Sequence, residues 1–329
     1  MKVKNFDLLS LERPFLIAEA GSSHLGNPEI ALQMAHAAAK SGADALTFQE
    51  IDETCLYSKM DSLPVAQQPK VGWDCLRECQ QIANKAGLCF SVCVTDKNSL
   101  DYALKIGIDF IKIVSYDITF IPFLEICGKT GLPIFMSTGA STFKEIEIAL
   151  NALNSNDRVL LYHTDCGYPT KDNEVNLLRM IALKEKFGLP VGYCDHTDHD
   201  LSCLAATALK ANAIEKHFIL DKSSGGSDHM VALEPDELIR AFSKIKRVAA
   251  ILGNGDDKIE NGDLFRRNNL RRSVALCKDK RVGEKISYND ITMLRPPIGI
   301  DWEDAEKIIG LPLRKDIPNR TILKFEDFE

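Results

Sequence analysis

The chain has 329 residues, 45% of them hydrophobic, and a formal net charge of −7. That length supports one large core and a small second unit, and the acidic balance argues against general nucleic-acid binding. The apolar runs are too short to span a bilayer, and the segment from Met1 to Phe15 lacks the apolar stretch and cleavage site of a secretory leader. A cytoplasmic protein with no nucleic-acid or membrane partner is expected.

From residue 15 to about residue 252 the sequence alternates between two textures. Short runs rich in branched apolar residues predict strands at Phe15–Ala20, Ala45–Glu50, Cys89–Val94, Phe110–Ser115, Ile134–Thr138, Val159–Thr164, Val191–His196 and Ala213–Ile219. Between them, helical patterns run over Pro28–Lys40, Trp73–Ala86, Ser99–Ile106, Ile121–Thr130, Phe143–Asn154, Asn173–Phe187 and Ser202–Lys210. An eighth, Glu234–Leu252, follows the last strand. Several helices run into a glycine just before the next strand, which is C-cap chemistry. Eight strand–helix units fit a closed (β/α)8 barrel. An open doubly wound sheet would carry a glycine-rich phosphate turn after its first strand, but here that turn reads Gly21-Ser22-Ser23-His24-Leu25-Gly26-Asn27. The barrel is preferred.

The stretch Gly253–Gly262 is polar and glycine-rich, and reads as a linker. The predicted division is a barrel over residues 1–255, a linker over 256–268 and a small β-rich domain over 269–329. The ten cysteines form no CxxC pair, and Cys75/Cys79 and Cys89/Cys93 recur at same-face spacings. They are expected to be reduced thiols, largely in the packed interior.

Barrel active sites lie at the C-terminal strand ends. There the sequence offers Glu19 and His24, then Thr47, Gln49 and Glu50, then Lys112, Ser115 and Asp117, then Ser137 and His163, then Asp195 and His196, then Glu215, Lys216 and His217, with Asp228 in the loop beyond. His196 and His217 stand at equivalent heights on consecutive strands, where a shared divalent metal is one reading and two structural histidines the other. Lys112 and Lys216 alternate with apolar neighbours, so either can project inward to meet an anion, and Lys112 is the better candidate. His199 and His229 read as loop residues.

Several segments resemble the sialic acid synthase family. They are Ile17–Gly21 with His24, Ser41–Gln49, Ile111–Ser115, Ser137-Thr138-Gly139, Tyr168-Pro169-Thr170, Val191–Thr197, Ile214–Phe218 and Asp228–Glu237. In the tail, Arg271-Arg272-Ser273, Arg295-Pro296, Ile309-Gly310 and Asp316-Ile317 look like that family's antifreeze-like (SAF) domain. The resemblance implies condensation of phosphoenolpyruvate with an amino-sugar aldehyde to a nine-carbon 2-keto sugar acid. It implies Mn²⁺ or Mg²⁺ on His196 and His217, with Glu19 and Asp228 at the reacting centre and Lys112, Ser115 and Ser137 on the phosphoenolpyruvate. Gln49, Asp117 and Tyr168 would line the sugar region. It also implies a homodimer in which each C-terminal domain covers the partner's site, with Arg295 reaching across.

The departures are specific. A family lysine on strand two is Thr47, a serine on strand seven is Cys194, an asparagine or serine is Cys166, and the strand-four end reads Val114-Ser115-Tyr116-Asp117. Thr47 and Cys194 therefore occupy substrate-contact positions with altered chemistry. A divergent aldolase or lyase, or a non-catalytic sugar-binding protein, stands as an alternative. Acceptor choice is expected to reside in the loops Ile51–Gln68 and Asp165–Asp172.

Overall fold

The computed structural model describes residues 1–58 and 69–328. The chain forms two units, Met1–Gly253 and Asn254–Glu329.

In the first unit eight parallel strands form one sheet. They are β1 (Phe15–Gly21), β2 (Ala45–Gln49), β3 (Cys89–Cys93), β4 (Ile111–Ile113), β5 (Ile134–Ser137), β6 (Val159–His163), β7 (Val191–Asp195) and β8 (Ala213–His217). Their order is β3-β2-β1-β8-β7-β6-β5-β4. Contacts across β3 and β4 bring the two edges together: Asp109 N donates to Phe90 O at 2.8 Å and Ser91 Oγ to Phe110 O at 2.6 Å. The result is the expected barrel. Its longer helices are α1 (Pro28–Lys40), α2 (Trp73–Lys85), α3 (Lys97–Ile106), α4 (Ile121–Lys129), α5 (Phe143–Leu153), α6 (Leu178–Phe187), α7 (Leu201–Ala208) and α8 (Pro235–Leu252). Local chemistry sets their ends. Asp96 accepts from Asn98 N and Ser99 N to start α3, Thr142 and Glu145 form a capping box on α5, and Gly188 ends α6 at φ 66°.

Side chains alternate strictly along the strands. One set faces inward, where Phe15, Ile17, Ala45, Cys89, Phe110, Phe135, Leu160, Tyr162, Cys194 and Ala213 fill the barrel above Val3 and Leu8. The other set, including Leu16, Leu46, Phe48, Ile113, Leu161 and Ile214, packs against the helices. The inward set turns polar toward the C-terminal ends, and this alternation positions the site.

Three expectations change. Strand four ends at Ile113, and Ser115–Thr119 is a 3-10 turn instead. The helix expected from Asn173 begins at Leu178, because Asn176 adopts φ 47°. Residues Asn261–Leu270, within the expected linker and the start of the tail, form helix α9, with every residue exposed.

In the second unit β9 (Ser273–Leu276) pairs antiparallel with β10 (Ile291–Leu294). Val274, Leu276, Ile286, Ile300, Ile308, Leu313 and Leu323 form its core. The remainder is mostly turns and isolated bridges rather than longer strands. Arg295 follows β10 and is exposed.

Candidate active site

At the C-terminal ends of the barrel strands a cavity of about 380 Å³ opens. Its walls bring together ten of the expected residues: Glu19, Gln49, Lys112, Ser115, Ser137, Tyr168, Cys194, His196, His217 and Asp228. Strand alternation explains the selection. Glu19 lies two residues beyond Ile17, Cys194 two before His196 and Glu215 two before His217, so all project inward.

Lys112 is almost fully buried and pairs with Glu215, while Tyr162 offers its ring face 4.3 Å from the ammonium. Burial opposes its charge, but Cys194, Glu215 and Glu19 hold its pKa above the ordinary lysine range. Glu215 also accepts from the Cys194 thiol at 3.1 Å. Glu19 accepts from Gly21 N at 2.6 Å and from the Thr47 hydroxyl. Burial, then the neighbouring Glu215, push its pKa up to about 8. Both effects favour the protonated form of Glu19.

The imidazoles of His196 and His217 face each other with ring centroids 5.3 Å apart. His196 Nδ1 lies 2.5 Å from Asp165 O, and a carbonyl there calls for the Nδ1–H tautomer. His196 Nε2 is left as an acceptor for the Tyr168 hydroxyl at 2.9 Å. Burial, reinforced by His217, lowers its pKa to about 3. Burial lowers that of His217 as well.

These features fit a cation. His217 Nδ1 and Asp228 Oδ2 are buried 3.6 Å apart with no hydrogen-bond partner among the described residues. A Cβ on Gly21 would come within 2.5 Å of Asp228 Oδ2, so glycine leaves that space open. His196 has one ring nitrogen held by a backbone carbonyl, which is how a ligating histidine is oriented, while the bare nitrogen belongs to His217. No cluster of three or more His, Cys, Asp or Glu donors is assembled as a metal shell among the described residues. Two imidazoles would leave further positions to water or substrate.

Several expected residues lie elsewhere. Thr47 is fully buried beside Glu19 on the adjacent strand and does not line the cavity. Asp117 does not line it either: the 3-10 turn carries its carboxyl into the protein, where burial raises its pKa to about 6. Lys216 faces outward, against the expectation of an inward projection, and binds Asp195. His163 likewise points to Val175 O. Arg295 belongs to the second unit. The acceptor loop expected over Ile51–Gln68 lies outside the described residues from position 59 onward.

The cavity also contains Glu215, offered among the strand-end candidates without a role of its own, and Cys166, Tyr116 and Ser227, to which no role was assigned. Glu215 was legible in principle, since it shares its strand face with His217.

A parallel barrel with buried carboxyls, a buried ammonium and paired imidazoles at its C-terminal mouth has the build of an enzyme active site. Comparison with known proteins makes this specific. The NeuB family matches residues 34–257 and the SAF domain matches residues 271–329, and the chain belongs to that family. It is 33% identical to the N,N'-diacetyllegionaminic acid synthase of Legionella pneumophila over 96% of this chain and 94% of that protein. It is 28% identical to the pseudaminic acid synthase of Helicobacter pylori, covering 97% and 99%. The crystal structure of an N-acetylneuraminic acid (sialic acid) synthetase from Leptospira borgpetersenii, in complex with citrate, matches with a TM-score of 0.72 at 29% identity, over 77% of this chain and 90% of that one. The protein is thus an enzyme, a carbon–carbon bond-forming transferase of the nonulosonic acid synthase type, and the non-catalytic reading is set aside.

Proposed function

We propose that the enzyme condenses phosphoenolpyruvate with the open-chain aldehyde of an N-acetylated hexose, giving a nonulosonic 2-keto sugar acid and phosphate. The observation that carries this reading is the meeting, in one cavity, of Glu19, a buried Lys112 and two imidazoles 5.3 Å apart. Kinship to synthases of legionaminic and pseudaminic acid supports it.

In this reading Lys112, Ser115 and Ser137 bind the donor's anionic groups. Cation and hydroxyls together suit a multiply charged anion. Gln49, Tyr168, Cys194 and Asp228 orient the acceptor. His196 and His217 hold Mn²⁺ or Mg²⁺, which supplies Lewis-acid polarisation of the aldehyde oxygen when bound. The enol carbon attacks the aldehyde carbon, the new alkoxide takes a proton, water adds to the resulting oxocarbenium-like centre, and phosphate leaves with cleavage of its bond to carbon. Glu19, protonated until about pH 8, can give that proton. Arg295 would reach the sugar from a second copy in a homodimer, and the enzyme would work in the cytoplasm.

A changed donor chemistry, as an aldolase or lyase, remains the second reading. Thr47 favours it, because a lysine expected in the donor grip is a neutral hydroxyl here.

The experiment is phosphate release by purified enzyme given phosphoenolpyruvate, Mn²⁺ and either N-acetylated hexosamines or di-N-acetylated deoxyhexoses. Release that needs sugar and metal together is expected. Keto-acid cleavage without phosphate release would transfer support to the second reading. His217→Ala should lose metal-dependent turnover, and full activity would remove the metal assignment.

A further inference from the structure

Behind the cavity wall, Asp195 and Lys216 are direct cross-strand partners on β7 and β8. Each stands one residue before a histidine of the cavity, and strand alternation turns both to the outer face. Lys216 Nζ lies 2.6 Å from Asp195 Oδ2 and 2.5 Å from Thr197 O. Its two acceptors therefore bracket His196 in sequence. Asp195 also accepts from Thr197 N at 3.0 Å, Tyr193 Oη at 2.9 Å and Ser202 Oγ at 2.9 Å. The two side chains are 1% and 0% exposed.

Burial of an ion pair is by itself weak evidence of a stabilising role. Desolvating two charges is costly, and a packed apolar pair often supports a fold equally well. What the ions add is direction, since each bond fixes one backbone position relative to another. We propose that Asp195 and Lys216 are positioning residues that lock the end of β7 around His196 to β8 at His217, and so set the separation of the two imidazoles. The proposal rests on the reading that these histidines hold the divalent cation.

The test is the paired apolar replacement Asp195→Leu/Lys216→Met, with Lys216→Met and Lys216→Arg as single variants. Free Mn²⁺ is followed by electron paramagnetic resonance, with ring separation taken from crystal structures. The paired variant should bind Mn²⁺ about tenfold more weakly or worse, with the rings displaced from their 5.3 Å spacing. Lys216→Arg, which keeps a cation, should bind better than Lys216→Met. Wild-type affinity and unchanged rings in the paired variant would overturn the proposal. So would equal weakening by Met and Arg, a comparison that still decides if the paired variant does not fold. If the unaltered enzyme binds no Mn²⁺, the metal reading falls instead, and ring spacing alone decides the positioning role.

Discussion

The Lys112 ammonium meets the Glu215 carboxylate at the cavity wall, although 103 residues separate them in the chain. Both are buried, so neither is screened by solvent. Lys112→Met would strand the carboxylate without its cation, which costs about 3–5 kcal/mol. The double variant Lys112→Met/Glu215→Leu should recover most of that loss while remaining inactive. Urea unfolding separates the two, and an unchanged midpoint in Lys112→Met would contradict the pairing.

Thr47 is the direct cross-strand neighbour of Glu19 and donates its hydroxyl to it. Replacing it by lysine would bring a second cation beside Glu19, which borders the cavity. A charge-assisted contact contributes about 1.5–3 kcal/mol, so Thr47→Lys should lower the KM for phosphoenolpyruvate by about tenfold or more. The added ammonium also favours ionised Glu19, lowering its pKa from about 8. A KM that stays level or rises would remove Thr47 as the reason for a weakened donor grip.

Asp117 gives a prediction about pH. Burial raises its pKa from 3.8 to about 6 in the folded protein. The folded state thus holds this proton more tightly than the unfolded chain does. That contribution to stability is complete below the unfolded value and disappears as pH rises through about 6. Above that point a buried charge remains, with Oδ2 lacking a hydrogen-bond partner among the described residues. Asp117→Asn should therefore match the parent enzyme's unfolding temperature near pH 4 and exceed it near pH 8, by up to about 3 kcal/mol in stability. Equal unfolding temperatures at both values would show that Asp117 is hydrated.

Much of the barrel was readable because its signal is local. Apolar runs of strand length followed by helical periodicity mark the eight units, and in six of them a glycine closes the helix. The ends were harder. Val114-Ser115 looked like a continuing strand, yet the backbone turns there to form a 3-10 segment. Asn261–Leu270 looked like a linker because its composition is polar, and its helix buries none of its residues. Within the site, Glu19, Lys112, His196 and His217 were identifiable from their places on strands. Lys216, Asp195 and His163 were gathered with them because nearness to a strand end was weighed without counting which face each occupies. The Lys112–Glu215 pairing was out of reach, since closure of the barrel creates it and no local pattern announces it.

Adjacent residues on β7 and β8 serve opposite compartments: His196 and His217 border the cavity, while Asp195 and Lys216 are sealed under the helices. Chemistry and scaffold are thereby interleaved along a single thread. Evolution can retune the reacting surface at every second position while the alternate positions keep the frame unchanged. Deleting one residue from either strand would exchange the two sets, delivering scaffold groups to the substrate and catalytic groups to the hydrocarbon layer.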